Sequence, residues 1–190
     1  MVLTPLNLCA QTLDGIRNHS WSRPTPSSVE GEIVSWADRI AYCAHDLEDA
    51  IGAGIVTASD VPPLVAEVCG ATRREQLRTF VREVIATTAR TGSIGMGSSV
   101  AGALAELRAF NYERIYTRPE SLAQSAAVVA VLQALVSHYL DHPDQLPGEV
   151  ADGDPVHAAV AYVGGMTDRF AFDTAVQLLG WNPERLPRQQ

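Results

Sequence analysis

Lysine is absent from this chain of 190 residues, so all 14 of its basic side chains are arginine. Aromatic residues make up only 6% of the sequence, and 22 acidic residues give it a formal net charge of −8. An acidic chain lacks the basic face that nucleic acid requires, which argues against nucleic acid as a partner. Small anionic ligands remain compatible with the composition, because the planar arginine fork donates two parallel hydrogen bonds to phosphate.

Cysteine is also scarce, and Cys9, Cys43 and Cys69 form no CxxC pair. This spacing argues against a disulfide framework or a zinc site and favours the reduced thiols of a cytoplasmic protein. The N-terminal sequence lacks the basic start and apolar core that are typical of a signal peptide, so we expect none. Residues 121–140 carry no charge and are numerous enough to cross a bilayer. Their scattered polar side chains instead favour a buried helix in a soluble protein without a membrane partner.

Strand-like alternation is rare, whereas helical periods bounded by capping residues recur, which predicts an all-α protein. Thr4-Pro5 is typical of a helix start, Asp60 is predicted to cap a short helix, and Thr72 begins a capping box. The predicted helices cover about 4–19, 29–53, 60–70, 72–91, 99–117, 119–142 and 154–180, with a break or kink at Gly164-Gly165.

The predicted helix over residues 33–51 has two contrasting faces at about 100° per residue. Its apolar face comprises Trp36, Ile40, Cys43, Leu47 and Ile51. Its polar face comprises Asp38, Tyr42, His45, Asp46 and Asp49, with Arg39 at the edge. Carboxylates, an imidazole and a phenol on one face suit a metal and a phosphate ester. An ordinary solvent-facing surface of an amphipathic helix has the same pattern.

Three segments carry a family resemblance. VEGEIVSWADRIAYCAHDLEDAIGAGI (29–55) resembles the dGTPase-like deoxynucleoside triphosphate triphosphohydrolases of the HD superfamily. IGMGSSVAGALAELRAFNYERIY (94–116) and AYVGGMTDRFA (161–171) resemble the C-terminal helical region of the same family. The resemblance implies an HD-domain-like helical bundle fragment over residues 1–58 and a phosphohydrolase-associated helical domain over residues 59–190.

The same resemblance implies hydrolysis of a dNTP, such as dGTP, to the deoxynucleoside and triphosphate. It implies a divalent metal such as Mg²⁺ or Mn²⁺ and self-association into a homo-oligomer. Asp38 matches the family's last metal-ligating aspartate and is the implied catalytic residue. The implied substrate-binding residues are Arg39 and Tyr42 at the phosphates, Asp46 at the sugar 3′-hydroxyl, and Tyr162 and Asp168 near the nucleotide.

The chain departs from the family pattern in its metal ligands. The family's first histidine and its His-Asp pair precede the matching segment, whereas His45-Asp46 follows the aspartate at position 38. We therefore interpret Asp38 as one ligand of an incomplete set, and His19, His45 and Asp46 as a poor substitute because a metal needs several convergent ligands. Two alternatives to an enzyme are a metal-free nucleotide-binding or interaction module and a truncated product without activity.

Overall fold

The structure, a computed structural model, describes residues 6–147 and 154–187. These residues form helices and no β-strand, which confirms the predicted all-α class. The chain divides into two compact units, of which the first ends at Arg118 and the second begins at Pro119. The homology boundary predicted after residue 58 falls within the first unit and stays a prediction.

Five α-helices make up the described part of the first unit. They are α1 (Ala10–Asn18), α2 (Val29–Gly52), α3 (Pro63–Cys69), α4 (Arg73–Thr91) and α5 (Ser98–Asn111). A short 3₁₀ turn covers Ala58–Asp60, and α5 continues directly into a π-turn over Tyr112–Tyr116. The single helix predicted to reach residue 117 is therefore an α-helix with a wider turn at its end.

The capping box predicted at Thr72 is confirmed. The Thr72 hydroxyl accepts a hydrogen bond from the Glu75 amide at 3.3 Å, and the Glu75 carboxylate accepts one from the Thr72 amide at 3.1 Å. α4 ends before Gly92, whose φ of 73° lies in the left-handed region that glycine adopts without strain.

Two predicted helix starts are wrong. The pair Thr4-Pro5 lies outside the described residues, but residues 6–9 are not helical and α1 begins at Ala10. Asp60 does not cap α3, because its carboxylate accepts the Thr57 amide at 2.7 Å and closes the preceding 3₁₀ turn. α3 begins instead at Pro63, whose fixed φ suits the first turn of a helix.

The segment between α1 and α2 is held from both sides. The Asp14 carboxylate accepts hydrogen bonds from the Ser27 amide at 2.7 Å and the Ser27 hydroxyl at 2.8 Å. Glycine is required at position 31, because an added Cβ would lie 2.8 Å from the Cβ of Pro26. These contacts fix the connection that carries Trp21.

The core of the first unit forms where the apolar face of α2 meets α3, α4 and α5. Of the predicted apolar face, Ile40, Cys43 and Leu47 are buried, and Trp36 and Ile51 pack partly buried against them. The predicted division of this helix into two faces is therefore confirmed on its apolar side. The core is completed by Val65, Phe80, Ala103, Leu104 and Leu107.

The three thiols should differ sharply in reactivity. Burial raises the pKa of Cys43 and of Cys69 to about 11 each, so both are protonated at pH 8. Cys9 is exposed, and a hydrogen bond with the Thr12 hydroxyl lowers its pKa. Because the thiolate is the nucleophile, we expect only Cys9 to react with an aromatic disulfide reagent at pH 8 until the protein is denatured. Rapid reaction of a second thiol in the native protein would contradict this packing.

The described part of the second unit contains α6 (Pro119–Asp141), α7 (Pro155–Gly164) and α8 (Asp168–Leu179). The predicted break at Gly164-Gly165 is confirmed, and α8 ends before Gly180 in the left-handed conformation. A separate core lies among these helices and includes Leu135, Tyr139, Ala159, Val163 and Ala175.

α6 is exposed to a greater extent than its sequence predicts. Its buried residues are Val131, Leu135 and Tyr139, a stripe of period four that packs in the second core. The prediction of a buried helix is therefore wrong, because among the described residues Leu122, Val129, Leu132 and Leu140 of this helix are exposed. By length and composition α6 could also cross a membrane. This is weak evidence for a membrane span, because core helices of soluble proteins pass the same test.

Candidate functional site

The polar face of α2 is partly solvated and partly enclosed. Asp38, His45 and Asp49 are exposed, as expected of an ordinary solvent-facing surface. His45 uses its Nδ1 atom in a 2.6 Å hydrogen bond with the Ala41 carbonyl of its own helix. Tyr42 and Asp46, in contrast, are half-buried, so other parts of the protein pack against this section of the polar face.

Arg39 is buried, although its place in the sequence puts it only at the edge of the polar face. Its side chain is 7% exposed, and its Cζ atom lies 3.6 Å from the centroid of the Trp21 ring. Trp36 meets Trp21 edge-on with ring centroids 4.6 Å apart, and the Tyr42 centroid lies 6.0 Å from the Arg39 Cζ atom. An indole face attracts a cation, so the aromatic rings hold the guanidinium in a fixed position.

Arg39 has no carboxylate at ion-pairing distance among the described residues, although the charge of Asp38 acts to raise its pKa. Its Nε atom is buried without a hydrogen-bond partner, and no ion pair joins it to a carboxylate in the described part of the chain. Burial lowers the pKa of Arg39, and the neighbouring positive charge of Arg108 lowers it further. A buried cation without an ion pair is unfavourable, and an anion bound at Arg39 would compensate its charge.

Asp46 is held by a residue at the end of α5. The Tyr116 hydroxyl donates a short hydrogen bond to Asp46 Oδ2. Burial, followed by this bond to a carboxylate, raises the pKa of Tyr116, so the phenol stays a donor at neutral pH. Asn111 is fully buried beside it, and its Nδ2 atom donates to the Cys43 carbonyl at 2.8 Å.

Sequence reasoning missed Trp21, Arg108, Asn111 and Tyr116 as members of this site. Asn111 and Tyr116 lie 68 and 70 residues from the groups they bind, so no local periodicity could pair them. Arg108 and Tyr116 do lie within the segment 94–116 that carries part of the family resemblance. The family resemblance of that segment was therefore the one feature of the sequence that could have indicated Arg108 and Tyr116 as site residues.

The described residues do not assemble a metal site by themselves. No three His, Cys, Asp or Glu side chains converge within the described ranges. His19, His45 and Asp46 do not form a substitute metal site. His19 is instead hydrogen-bonded to the Ile16 carbonyl at 2.7 Å, and Asp46 is hydrogen-bonded to Tyr116. Asp38 is exposed and forms no hydrogen bond or ion pair with a described residue, so it can supply one carboxylate ligand. The complete HD ligand set does not fit the part of the chain described.

Tyr162 and Asp168 lie in the second unit. Tyr162 is half-buried, with its ring edge-on to Tyr139 at a centroid distance of 5.1 Å. Asp168 is exposed in the first turn of α8, where a carboxylate is favoured by the helix dipole. These surroundings support packing and capping roles, and a contact of either residue with a nucleotide stays a prediction.

An open groove of about 520 Å³ lies between α1 and α2. Ile16, Gly31 and Val34 line it, together with His19 and Thr12, and none of the predicted substrate residues does. Its mainly apolar wall offers few donors for phosphate. We therefore place the candidate site at Arg39 and not in this groove.

Comparison with known proteins identifies sequences related to this chain. Residues 94–177 match the sequence model of the phosphohydrolase-associated domain. Proteins described as deoxyguanosinetriphosphate triphosphohydrolase-like are similar to 87% of the chain: one from Caldanaerobacter subterraneus subsp. tengcongensis is 31% identical over 170 residues, and one from Clostridium perfringens strain 13 is 29% identical over 177 residues. A third, from Desulfatibacillum aliphaticivorans, is 31% identical over 188 residues.

The chain is thus related to the dGTPase-like triphosphohydrolases, and the resemblance seen in its motifs is confirmed. It spans 50% to 54% of the length of these three relatives. The match over residues 94–177 lies within the range 59–190 predicted for the phosphohydrolase-associated domain, and the bounds of that domain stay a prediction.

Proposed function

We propose that this chain is the nucleotide-binding portion of a dGTPase-like dNTP triphosphohydrolase. One observation carries the proposal: Arg39 is buried against Trp21 and forms no ion pair with a described carboxylate, while the positive charge of Arg108 disfavours its own. A triphosphate supplies the negative charge that this pair of arginines lacks. The reaction, the substrate and a homo-oligomer in the cytoplasm are parts of the same proposal and rest on the family relationship.

Each neighbouring side chain has a chemistry suited to one part of a dNTP. Arg39 and Arg108 donate charge-assisted hydrogen bonds to phosphate oxygens, which are about twice as strong as neutral ones. Tyr42 donates its phenolic hydrogen to a further oxygen, and the Asp46 carboxylate accepts from the sugar 3′-hydroxyl. Along α2, the residues assigned to the phosphates, Arg39 and Tyr42, therefore precede Asp46, which is assigned to the sugar.

Asp38 suits a metal that arrives with the nucleotide. Mg²⁺ is usually bound through one or two carboxylates together with the substrate phosphates, and it keeps several waters. A single exposed carboxylate next to Arg39 meets that requirement without a cage of protein ligands. Such a metal polarises a phosphate oxygen when it is bound, and the described residues support no catalytic step beyond holding it.

Nucleotide affinity with and without manganese tests this proposal. We expect Mn²⁺ to tighten dGTP binding by about tenfold, the effect of about 1.4 kcal/mol of added interaction with Asp38. Asp38→Ala should lose this increment, whereas Asp49→Ala, a matched exposed carboxylate on α2, should keep it. Failure of the wild-type chain to bind any dNTP would falsify the proposal. Triphosphate release that Asp38→Ala abolishes would extend it from binding to catalysis.

A metal-free nucleotide-binding module is the second candidate. It is favoured by the absence of convergent metal ligands among residues 6–147 and 154–187. Such a module would bind dGTP with the same affinity whether or not Mn²⁺ is present. Asp38→Ala would then change nothing in the same titrations.

A further inference from the structure

The π-turn after α5 changes which residues face α2. An α-helix turns about 100° per residue, so side chains five residues apart point about 140° away from each other. A π-turn closes i→i+5 hydrogen bonds, as the Thr117 amide does to the Tyr112 carbonyl at 3.0 Å. Asn111 and Tyr116 are five residues apart, and because of the wider turn both reach α2.

These two contacts attach the end of α5 to α2 at two points. The Asn111 Nδ2 atom donates to the Cys43 carbonyl at 2.8 Å, and five residues later the Tyr116 hydroxyl donates to Asp46 Oδ2. The other carboxylate oxygen of Asp46 forms no hydrogen bond with a described residue and is available to a ligand.

We propose that Asn111 is a positioning residue for sugar recognition: its hydrogen bond to the Cys43 carbonyl anchors the end of α5, which keeps the Tyr116 phenol on Asp46 Oδ2 and leaves Oδ1 for the nucleotide 3′-hydroxyl. The inference rests on the proposed function, because Asp46 is assigned to the sugar there. A buried amide whose Oδ1 atom has no partner is costly, and this cost is offset where the amide fixes a neighbouring network.

The ratio of two affinities tests the inference, because it cancels any loss of folded protein. We would titrate the full chain with dGTP and with 2′,3′-dideoxy-GTP, which differ only in the 3′-hydroxyl. A hydrogen bond to a carboxylate should give the wild type about a tenfold preference for dGTP. Asn111→Leu should reduce this preference to about twofold or less and leave dideoxy-GTP binding nearly unchanged.

Gln76→Met is the matched control. Gln76 is also a fully buried amide of the first unit, its Nε2 atom also donates to a backbone carbonyl, and its Oε1 atom also has no partner. It is not part of the Asp46 network, so its replacement should keep the tenfold preference. Should Asn111→Leu fail to fold, Tyr116→Phe carries the same test, since it removes the hydroxyl and keeps the ring.

The outcomes separate the inference from the proposed function. A wild-type preference that Asn111→Leu or Tyr116→Phe retains would overturn the positioning role and leave the proposed function intact. A wild type that binds both nucleotides equally would overturn the assignment of Asp46, and with it the inference. If Asn111 acts through Tyr116, the double variant should discriminate no worse than Tyr116→Phe alone.

Discussion

Replacing Arg39 by methionine should weaken dGTP binding by about a hundredfold and at the same time stabilise the fold. The loss of affinity follows from removal of charge-assisted hydrogen bonds worth about 3 kcal/mol in total. The gain in the free energy of unfolding, about 1 kcal/mol, arises because an unpaired buried charge gives way to an apolar chain. Methionine keeps an unbranched stem on the Trp21 ring, so the packing is retained.

Isothermal titration and urea unfolding measure the two effects separately. Arg78→Met is the matched control, because Arg78 is an exposed arginine on α4 and should change neither quantity appreciably. A fall in stability for Arg39→Met would show that an acidic group already neutralises Arg39. Unchanged affinity, together with raised stability, would place triphosphate binding elsewhere on the chain.

Phe80→Ala should lower the free energy of unfolding of the first unit by about 3 to 5 kcal/mol, the cost of a large cavity in a rigid core. Phe80 is fully buried on α4 and packs in the core that α2 closes. Urea unfolding followed by tryptophan fluorescence reports on this unit in a Trp181→Phe background, because Trp21 and Trp36 lie within it and Trp181 lies in the second unit.

Ile85→Ala provides the comparison on the same helix. Ile85 is 63% exposed, so its truncation should change stability by no more than about 0.5 kcal/mol. Equal effects of the two substitutions would mean that α4 does not contribute Phe80 to a packed core.

The sequence determines much of the helical framework through local chemistry. The start of α4 follows from Thr72 and Glu75, and the ends of α4 and α8 follow from Gly92 and Gly180, all within a few residues of the element they limit. α1 shows the limit of such signals, because it begins at Ala10, where the Cys9 side chain supplies no capping hydrogen bond. No capping residue in the local sequence marks Ala10 as a helix start in preference to Thr4-Pro5, which has the more typical pattern.

The candidate site is less predictable because it depends on tertiary contacts. The two faces of α2 follow from its periodicity, but the burial of Arg39 depends on Trp21, which lies in the preceding connection. The partners of Asp46 come from the end of α5, and only the folded chain brings them there. Periodicity also treats α5 and its π-turn as one helix, which would direct Tyr116 away from α2.

The π-turn also determines how the site responds to a change in chain length. Deletion of one residue over 112–115 would leave Asn111 and Tyr116 four positions apart, and an ordinary α-helix keeps such residues within about 40° of each other. Insertion of one residue at the same place would leave them six positions apart and about 120° from each other on an α-helix. Sugar recognition in a descendant protein should thus survive a one-codon deletion and be lost after a one-codon insertion, although every side chain that performs the recognition is still encoded.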